Sequence, residues 1–541
     1  MQKSLLLGVE AIAQGAIDAG MSGVYAYPGT PSTEITEYIQ HSKLASERKI
    51  HSEWSANEKT AMETALGMSY AGKRTMVCMK HVGLNVAADC FMNAAITGSN
   101  GGMLVTIADD PSMHSSQNEQ DSRVYAKFAM IPILEPSNQQ EAYDMTRFGF
   151  ELSEACGTPV MMRITTRLAH SRAGVTPATD IVAENELRLP EDKQRFVLLP
   201  SIARKQYKVL LGNQANFDAA SEDSSYNEYF EGKDKSLGVV ACGIAYNYLM
   251  ENYPNNDCPF PVLKLSQYPL PRTKVTKLVE ECDKVLVLED GYPVVEEMLK
   301  GYLENDKVIG RLDGTLSRDG ELNPDMVGAA LGFDVVEGMP VPEMVAARPP
   351  ALCVGCHHHD VYKALNEVIA EYGEGRVFSD IGCYTLGALP PYRAINAVVD
   401  MGASITMAKG AADAGLIPSV AMIGDSTFTH SGMTGLLDAI NENSPITVII
   451  SDNESISMTG GQKSSAKGKL EDICAGLGVH ADHIHVYTSL PKKHEDVKEL
   501  IRKELDYQGV SVIIPRRICV QKNVRDQKIK KAMKAKAAAK A

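Results

Sequence analysis

SVAMIGDSTFTHSGMTGLLDAINENSPITVIISDN, residues 419–453, reads as two apolar β-rich runs, SVAMI and ITVIISD, joined by a helical stretch, HSGMTGLLDAINEN. Two strands linked by a crossover helix run parallel and end at the same edge of their sheet. Asp425 follows the first strand and Asn453 the second, so both stand at the carboxyl edge, where open α/β sheets bind ligands.

Working outward, the region 351–520 adds strands at RVFSDIG, NAVVDMG and GVSVIIPRR and forms one α/β domain. The N-terminal region 1–190 repeats the alternation, with GVYAYP, RTMVCMK, GGMLVTIADD and PVMMRITTR each preceded by a helical stretch. Such alternation marks a parallel sheet covered on both faces. A smaller α/β domain at 236–335 carries LGVVACG, PVLKL and KVLVLED. Between 191 and 235 the periodicity fails, and FDAASEDSSYNEYFEGKDKS is polar and acidic, which predicts a linker or surface excursion. A Pro-rich linker occupies 336–350, and the basic tail 521–541, ending KIKKAMKAKAAAKA, has no apolar face and is expected to fray.

At 541 residues the chain is too long for one core. Its net charge of −14, with both signs interleaved, argues against a nucleic-acid surface. The start, MQKSLLLGVEAIAQGAIDAG, reads as an amphipathic helix carrying Glu10 and Asp18 rather than a signal peptide. No apolar run reaches the roughly 20 residues a membrane span needs, so a cytoplasmic location is expected. The 11 cysteines are scattered, which suits reduced thiols better than a disulfide framework.

A hard cation that bridges a diphosphate takes a few oxygens from the protein and leaves the rest of its shell to phosphate and water. The side chains of Asp425 and Asn453 and the backbone carbonyl of Ser455 can supply three. Gly424 lets the backbone turn sharply after the strand, and the amides beyond it can face phosphates. An aspartate after a buried strand is also a common helix cap; here the 26 residues between GDS at 424–426 and Asn453, and the strand context, favour the ion.

GDS-x26-N resembles the thiamine-diphosphate motif GDG-x(24–30)-NN, with Ser426 for the second glycine and Asp452-Asn453 for the asparagine pair. GDSTFTHSGMTGLLDAI and SDNESISMTGGQ resemble, more specifically, the large subunit of indolepyruvate ferredoxin oxidoreductases. The N-terminal region agrees: YPGTPSTEI at 27–35 is similar to the YP-x-TPSSE segment of 2-oxo acid:ferredoxin oxidoreductases, and EWSANEKTAMETALGMSYAGKRTMV to the helix of the pyrimidine-binding domain. The resemblance spans about 1–520 and implies two doubly wound parallel-sheet domains, for pyrimidine and diphosphate, plus a smaller transketolase-C-terminal-like domain.

The resemblance aligns Glu58 with the glutamate that activates the cofactor. A carboxyl in a dry pocket holds its proton and can pass it to the aminopyrimidine; the bland alternative is an exposed helix-start glutamate. KHVGLNVAAD at 80–89 and DDPSMHSSQNEQDSRVYAKFA at 109–129 match the family and should line the substrate side of the cleft. Thr30 and Arg123 are expected at the substrate carboxylate, and His81 and His114 are candidate proton-transfer groups or plain polar wall. Met401 aligns with the large apolar residue that props the cofactor rings into a V, or else fills the core.

After loss of CO₂, protonation gives an aldehyde, whereas removal of two electrons and transfer to coenzyme A gives an acyl thioester. The second route needs an electron path. The family usually carries a ferredoxin-like module with CxxCxxCxxxCP runs; none stands in this sequence. Cys353 and Cys356 in LCVGCHHH, Cys383 in SDIGCYTLG and Cys519 in RRICVQ resemble the CPGC, IGC and late cysteine that hold one [4Fe–4S] cluster in related oxidoreductases, with Val354 departing from the proline. Reduced structural thiols are the alternative. A zinc site on the cysteine pair and the His357–His359 run is disfavoured, since adjacent histidines cannot all face one ion.

The resemblance thus implies an indolepyruvate or other arylpyruvate oxidoreductase. It would use thiamine diphosphate, Mg²⁺ and coenzyme A, pair with a small (beta) subunit, pass electrons to a ferredoxin-like acceptor and form a homodimer of catalytic subunits. The alternative keeps the cofactor without the redox step, as a 2-oxo acid decarboxylase, carboligase or C–C lyase. A scaffold that kept the fold alone is opposed by Glu58, Asp425 and Asn453 standing together.

Overall fold

A computed structural model of the chain describes residues 3–192, 194–301, 305–335, 338–346, 350–398 and 400–538, with the backbone alone for 534–538. The chain divides into two compact units, Met1–Met339 and Pro340–Ala541.

The C-terminal unit is built on a six-stranded sheet in the order Ala397–Val398, Val377–Ser379, Ser419–Gly424, Ile446–Ser451, Ser511–Arg516, Ile484–Thr488, with every pair parallel. Ser419–Gly424 and Ile446–Ser451 are buried at all six positions, as central strands covered on both faces must be, which explains their unbroken apolar runs. Numbered in chain order, the strands lie 2-1-3-4-6-5. The chain reverses direction between Val377–Ser379 and Ser419–Gly424, and the crevice at the carboxyl ends there is where such sheets take ligands.

The N-terminal unit holds two sheets. Seven strands run His51–Trp54, Gly23–Ala26, Thr75–Lys80, Met103–Asp109, Val160–Thr165, Ile133–Leu134, Gln267–Tyr268. Their order is 2-1-3-4-6-5-7, and only Gln267–Tyr268 is antiparallel. The reversal here falls between Gly23–Ala26 and Thr75–Lys80. The second sheet runs Val308–Ile309, Lys284–Leu288, Leu237–Cys242, Val262–Leu265, Glu228–Phe230, with the last strand antiparallel. Only Ser266 separates Val262–Leu265 from Gln267–Tyr268, so one chain segment stitches the two sheets together.

Three expectations change. The stretch read as a linker at 191–235 carries a 23-residue helix, Pro200–Glu222, and the edge strand Glu228–Phe230. Its buried face is Gln206, Leu210, Phe217 and Ser221; half of those residues are polar, so the helical period leaves little apolar trace. Asn227, also buried, donates to Gln267 O at 2.8 Å and accepts from the amides of Ser266 and Gln267 at 2.9 Å, which fixes the turn after the helix. The N-terminal helix starts later than its pattern suggests: Ser4–Leu7 is a strand paired antiparallel with Arg172–Val175, and the helix is Gly8–Asp18. The basic tail is helical over Val520–Ala538 rather than frayed, with Val524, Ile529 and Met533 exposed; its last three residues lie outside the described residues, as do 336–337 and 347–349 of the Pro-rich linker.

Candidate active site

In the C-terminal unit, Asp425 opens a short helix, Asp425–Thr427, directly off the carboxyl end of its strand, and the chain continues as a π-helix over Phe428–Gly432. One-turn π segments concentrate at functional sites. Gly424 is required by packing: a Cβ there would stand 2.5 Å from Cε1 of Tyr384, whose hydroxyl bonds Asp380 across the strand reversal. Asp425 is 2% exposed, and its Oδ2 has no hydrogen-bond partner. Burial first, then the neighbouring Asp452 carboxylate, push the Asp425 carboxyl up to about 7.

Asn453 ends the adjacent strand region in a tight turn with Glu454 in the left-handed region at φ 61°. Its Oδ1 accepts from Ser455 N at 3.0 Å and Ser455 Oγ at 3.2 Å. Asp452 is held by Arg516 Nε at 2.6 Å. The structure therefore brings Asp425 and the Asn453–Ser455 turn to one edge, as the spacing predicts. A buried carboxylate oxygen without a donor, beside a second buried carboxylate, is stabilised by a cation. These oxygens fit Mg²⁺. Ser426 is buried at the same turn, and Met401 is half-buried in the turn before the helix Ala403–Asp413.

The cysteines gather next to this edge. Cys353 and Cys356 lie in the turn before the helix His358–Ile369, Cys383 starts the 3₁₀ turn Cys383–Ala388, and Cys519 precedes the C-terminal helix. Cys383 is pushed up to about 12 by burial first, then by Cys356, Cys519 and Cys353, which puts the other three thiols within electrostatic reach of Cys383. Cys519 N donates to Asn453 O at 3.2 Å, tying the group to the proposed cation turn. The histidine run splits. His357 Nε2 lies 2.6 Å from Ser451 Oγ and His358 Nδ1 lies 3.0 Å from Cys356 Sγ, while His359 turns to Tyr392. Two of the three histidines thus stand with Cys356, and the third faces away.

In the N-terminal unit, Asn57 caps the helix Glu58–Tyr70 by accepting from Thr60 N at 2.8 Å, which leaves Glu58 at the first helical position, 5% exposed. Gly83 closes the space beside it: a Cβ there would lie 2.6 Å from Glu58 Oε1. Glu58 is therefore a buried carboxyl rather than an exposed helix-start residue. Thr30 stands half-buried after Gly23–Ala26, and its carbonyl accepts from Ser115 Oγ at 3.4 Å. His81 is 1% exposed, with Nε2 3.1 Å from Asn118 O and Nδ1 without a partner. His114 is half-exposed and pairs with Glu321 at 3.2 Å.

Arg123 corrects the expectation for the substrate carboxylate. It is 1% exposed and fully engaged: Nε and Nη2 bond Asp121 at 2.9 and 2.6 Å, Nη1 meets Glu289 at 2.9 Å, and Nη2 also donates to Tyr292 O at 3.0 Å. Arg163 lies in the same buried network with Asp109, Asp121 and Glu135. This network joins the seven-stranded to the five-stranded sheet, so the guanidinium has nothing left for a ligand. The sequence reading placed the segment 80–89 on the substrate side without singling out Lys80, the last residue of Thr75–Lys80, which is 9% exposed. The signal was a lysine closing an otherwise apolar buried strand.

Comparison with known proteins places this geometry. Residues 14–227 match the family model described as pyruvate flavodoxin/ferredoxin oxidoreductase, thiamine diP-binding, and residues 380–514 the C-terminal TPP-binding domain of thiamine pyrophosphate enzymes. Indolepyruvate oxidoreductase subunit IorA of Archaeoglobus fulgidus is 38% identical over 96% of this chain and 86% of its own length. The subunit of the same name from Pyrococcus horikoshii is 37% identical over 96% and 86%. The chain belongs to the indolepyruvate oxidoreductase subunit IorA family. It is an oxidoreductase subunit that uses thiamine diphosphate, and Glu58 falls in one matched region while Asp425 and Asn453 fall in the other. A solved 2-oxoglutarate:ferredoxin oxidoreductase from Magnetococcus marinus has a TM-score of 0.48 at 17% identity, covering 61% of this chain and 64% of that one. Among the described residues, no helix is long and apolar enough to cross a membrane.

Proposed function

We propose that this chain is the catalytic subunit of an enzyme that oxidatively decarboxylates an arylpyruvate, indolepyruvate being the reference substrate, to an acyl-CoA. The acid loses its carboxyl as CO₂, its carbonyl carbon gives up two electrons, and the acyl group passes to the thiol of coenzyme A, whose proton is released. A small (beta) subunit and a ferredoxin-like acceptor complete the system. The observation that carries the reading is the partnerless Oδ2 of Asp425 at the strand reversal of the C-terminal sheet, within the region matched to a TPP-binding domain.

Bound thiamine diphosphate supplies the electron sink that lets a 2-oxo acid part with CO₂. Asp425, Asn453 and the Ser455 carbonyl would hold Mg²⁺ for the diphosphate, with Gly424 and Ser426 shaping the turn. Met401 supports the rings. Glu58, in its dry pocket, gives and takes a proton at the pyrimidine. Thr30 and His81 line the substrate side. The catalytic subunit forms a homodimer. Cys353, Cys356, Cys383 and Cys519 would hold a [4Fe–4S] cluster, which takes four cysteine thiolates and would supply the electron path; the Cys519–Asn453 hydrogen bond ties this group to the turn that would hold the cation. The redox-free alternative, a decarboxylase, carboligase or lyase, is not favoured by the kinship.

Anaerobic purification with iron and sulfide analysis tests this, together with a visible spectrum in the presence of thiamine diphosphate, Mg²⁺ and an arylpyruvate. About four irons per chain, with absorbance that bleaches on substrate and acyl-CoA formed on adding coenzyme A, is the expected result. An iron-free protein that releases aldehyde would overturn it.

A further inference from the structure

We infer that Lys80 is the residue that receives the carboxylate of the 2-oxo acid. The inference rests on the proposed reaction and names the contact by which its substrate class is recognised.

Lys80 ends the strand Thr75–Lys80 next to Gly23–Ala26, at the point where the strand order of the seven-stranded sheet reverses. The loop carrying Thr30 leaves the neighbouring strand at the same edge. The lysine stem lies against that loop: a Cβ on Gly29 would stand 3.4 Å from Lys80 Cγ and Cδ. Its Nζ makes one hydrogen bond, 3.0 Å to the neutral carbonyl of Ser115, and among the described residues no carboxylate lies within 4.0 Å of it. An ammonium on a lysine only 9% exposed, with a single neutral acceptor, is an incomplete site.

The carboxylates nearest in electrostatic terms, Asp110 and Glu58, have other work. Asp110 accepts from Ser115 N at 2.8 Å, Ser116 Oγ at 2.6 Å and Thr166 Oγ1 at 2.7 Å, so it organises the loop that caps the lysine rather than pairing with it. The other cations of this edge are spent: Arg123 and Arg163 in the buried network, and Arg167 on Glu321 at 2.6 Å. Burial holds the Lys80 ammonium below the usual lysine range, with Asp110 and Glu58 opposing the shift; a bound carboxylate restores it. The same placement brings the acid's leaving carboxyl to the side of the cleft that carries Glu58, against which Gly83, three residues on, is packed.

The test uses two non-reacting probes, 3-phenylpropionate and its amide, titrated by competition against the arylpyruvate and by direct calorimetry. The protein is the holoenzyme with thiamine diphosphate and Mg²⁺. Wild type should bind the acid about 10- to 100-fold more tightly than the amide. In Lys80→Met the preference should vanish with amide affinity unchanged, and Lys80→Arg should keep part of it. A purely structural lysine would lower the melting temperature and leave the acid-to-amide ratio intact, and that result overturns the inference. So does a wild-type enzyme that binds acid and amide alike, which needs no variant to fold. Probe binding requires no turnover: an enzyme that binds the acid through Lys80 and makes no acyl-CoA retires the oxidative reading and leaves this contact standing.

Discussion

The N-terminal seven-stranded sheet and the C-terminal six-stranded sheet order their first six strands identically, 2-1-3-4-6-5, and each opens a crevice between strands 1 and 3. What stands at those crevices differs in charge. The N-terminal one presents Thr30, the ammonium of Lys80 and the buried carboxyl of Glu58; the C-terminal one presents Asp425 beside Asp452, with the Asn453 turn. Topology decides where a ligand goes, and the residues just past two strand ends decide which part of it is welcome. On the proposed function, the C-terminal crevice would take the cation of a cation–diphosphate pair, and Lys80 at the N-terminal one would take an organic acid.

The comparison breaks most visibly at its two carboxyls. Asp425→Asn should weaken Mg²⁺-dependent binding of thiamine diphosphate on the order of 100-fold or more, because it removes the charged ligand, and chelating Mg²⁺ should do to wild type what it no longer does to the variant. Glu58→Gln should leave cofactor affinity within a few-fold and cut turnover about 10²- to 10⁴-fold. Calorimetric titration of cofactor alongside steady-state rates separates the two. Equal effects of both variants on affinity would erase the division of labour between the crevices.

Arg123 offers the next largest effect, in stability rather than affinity. Arg123→Met takes the bidentate guanidinium partner from buried Asp121 and the ion-pair partner from buried Glu289, and should cost about 3–5 kcal/mol in urea denaturation. The KM for the 2-oxo acid should hold in whatever protein remains folded. A large rise in KM at unchanged stability would return Arg123 to the substrate.

How far the sequence reveals this depends on whether a feature is local. The strands at both crevices are legible because central parallel strands are continuous apolar runs, and Asp425 and Asn453 are legible because one strand–helix–strand unit fixes their spacing. Glu58 is reached through resemblance, and its burial depends on Gly83, 25 positions away, which no local pattern announces. Arg123 misleads for the same reason: Glu289 and Tyr292, which occupy it, come from another sheet of the unit. The helix Pro200–Glu222 escapes notice because its buried face pairs Leu210 and Phe217 with Gln206 and Ser221, polar groups that are satisfied only by tertiary partners such as the Gln267 carbonyl.

The smallest effect sharpens the comparison further, because each unit holds a buried aspartate with a partnerless Oδ2: Asp425 in one and Asp290 in the other. A missing donor alone does not make a metal site. Asp425 has the carboxylate of Asp452 as its charged neighbour, whereas Asp290 has Arg163 and Arg311 alongside the carboxylate of Glu321, so cationic charge is already supplied at the second. Burial still pushes Asp290 up to about 6, against hydrogen bonding from Leu322 N and those two arginines. An ordinary aspartate titrates near about 4, so between roughly pH 4 and 6 the folded chain keeps a proton that the unfolded chain has released. Stability therefore falls as pH rises through that window and is insensitive to this group above it. Asparagine imitates the protonated form. Asp290→Asn should be more stable than wild type by about 1–3 kcal/mol at pH 8, with the gain shrinking toward zero near pH 4, and cofactor affinity should not move. Melts at both pH values, with and without thiamine diphosphate and Mg²⁺, read this directly. A loss of cofactor binding in Asp290→Asn would mean that the partnerless oxygen, and not the charge of its surroundings, marks the ion site.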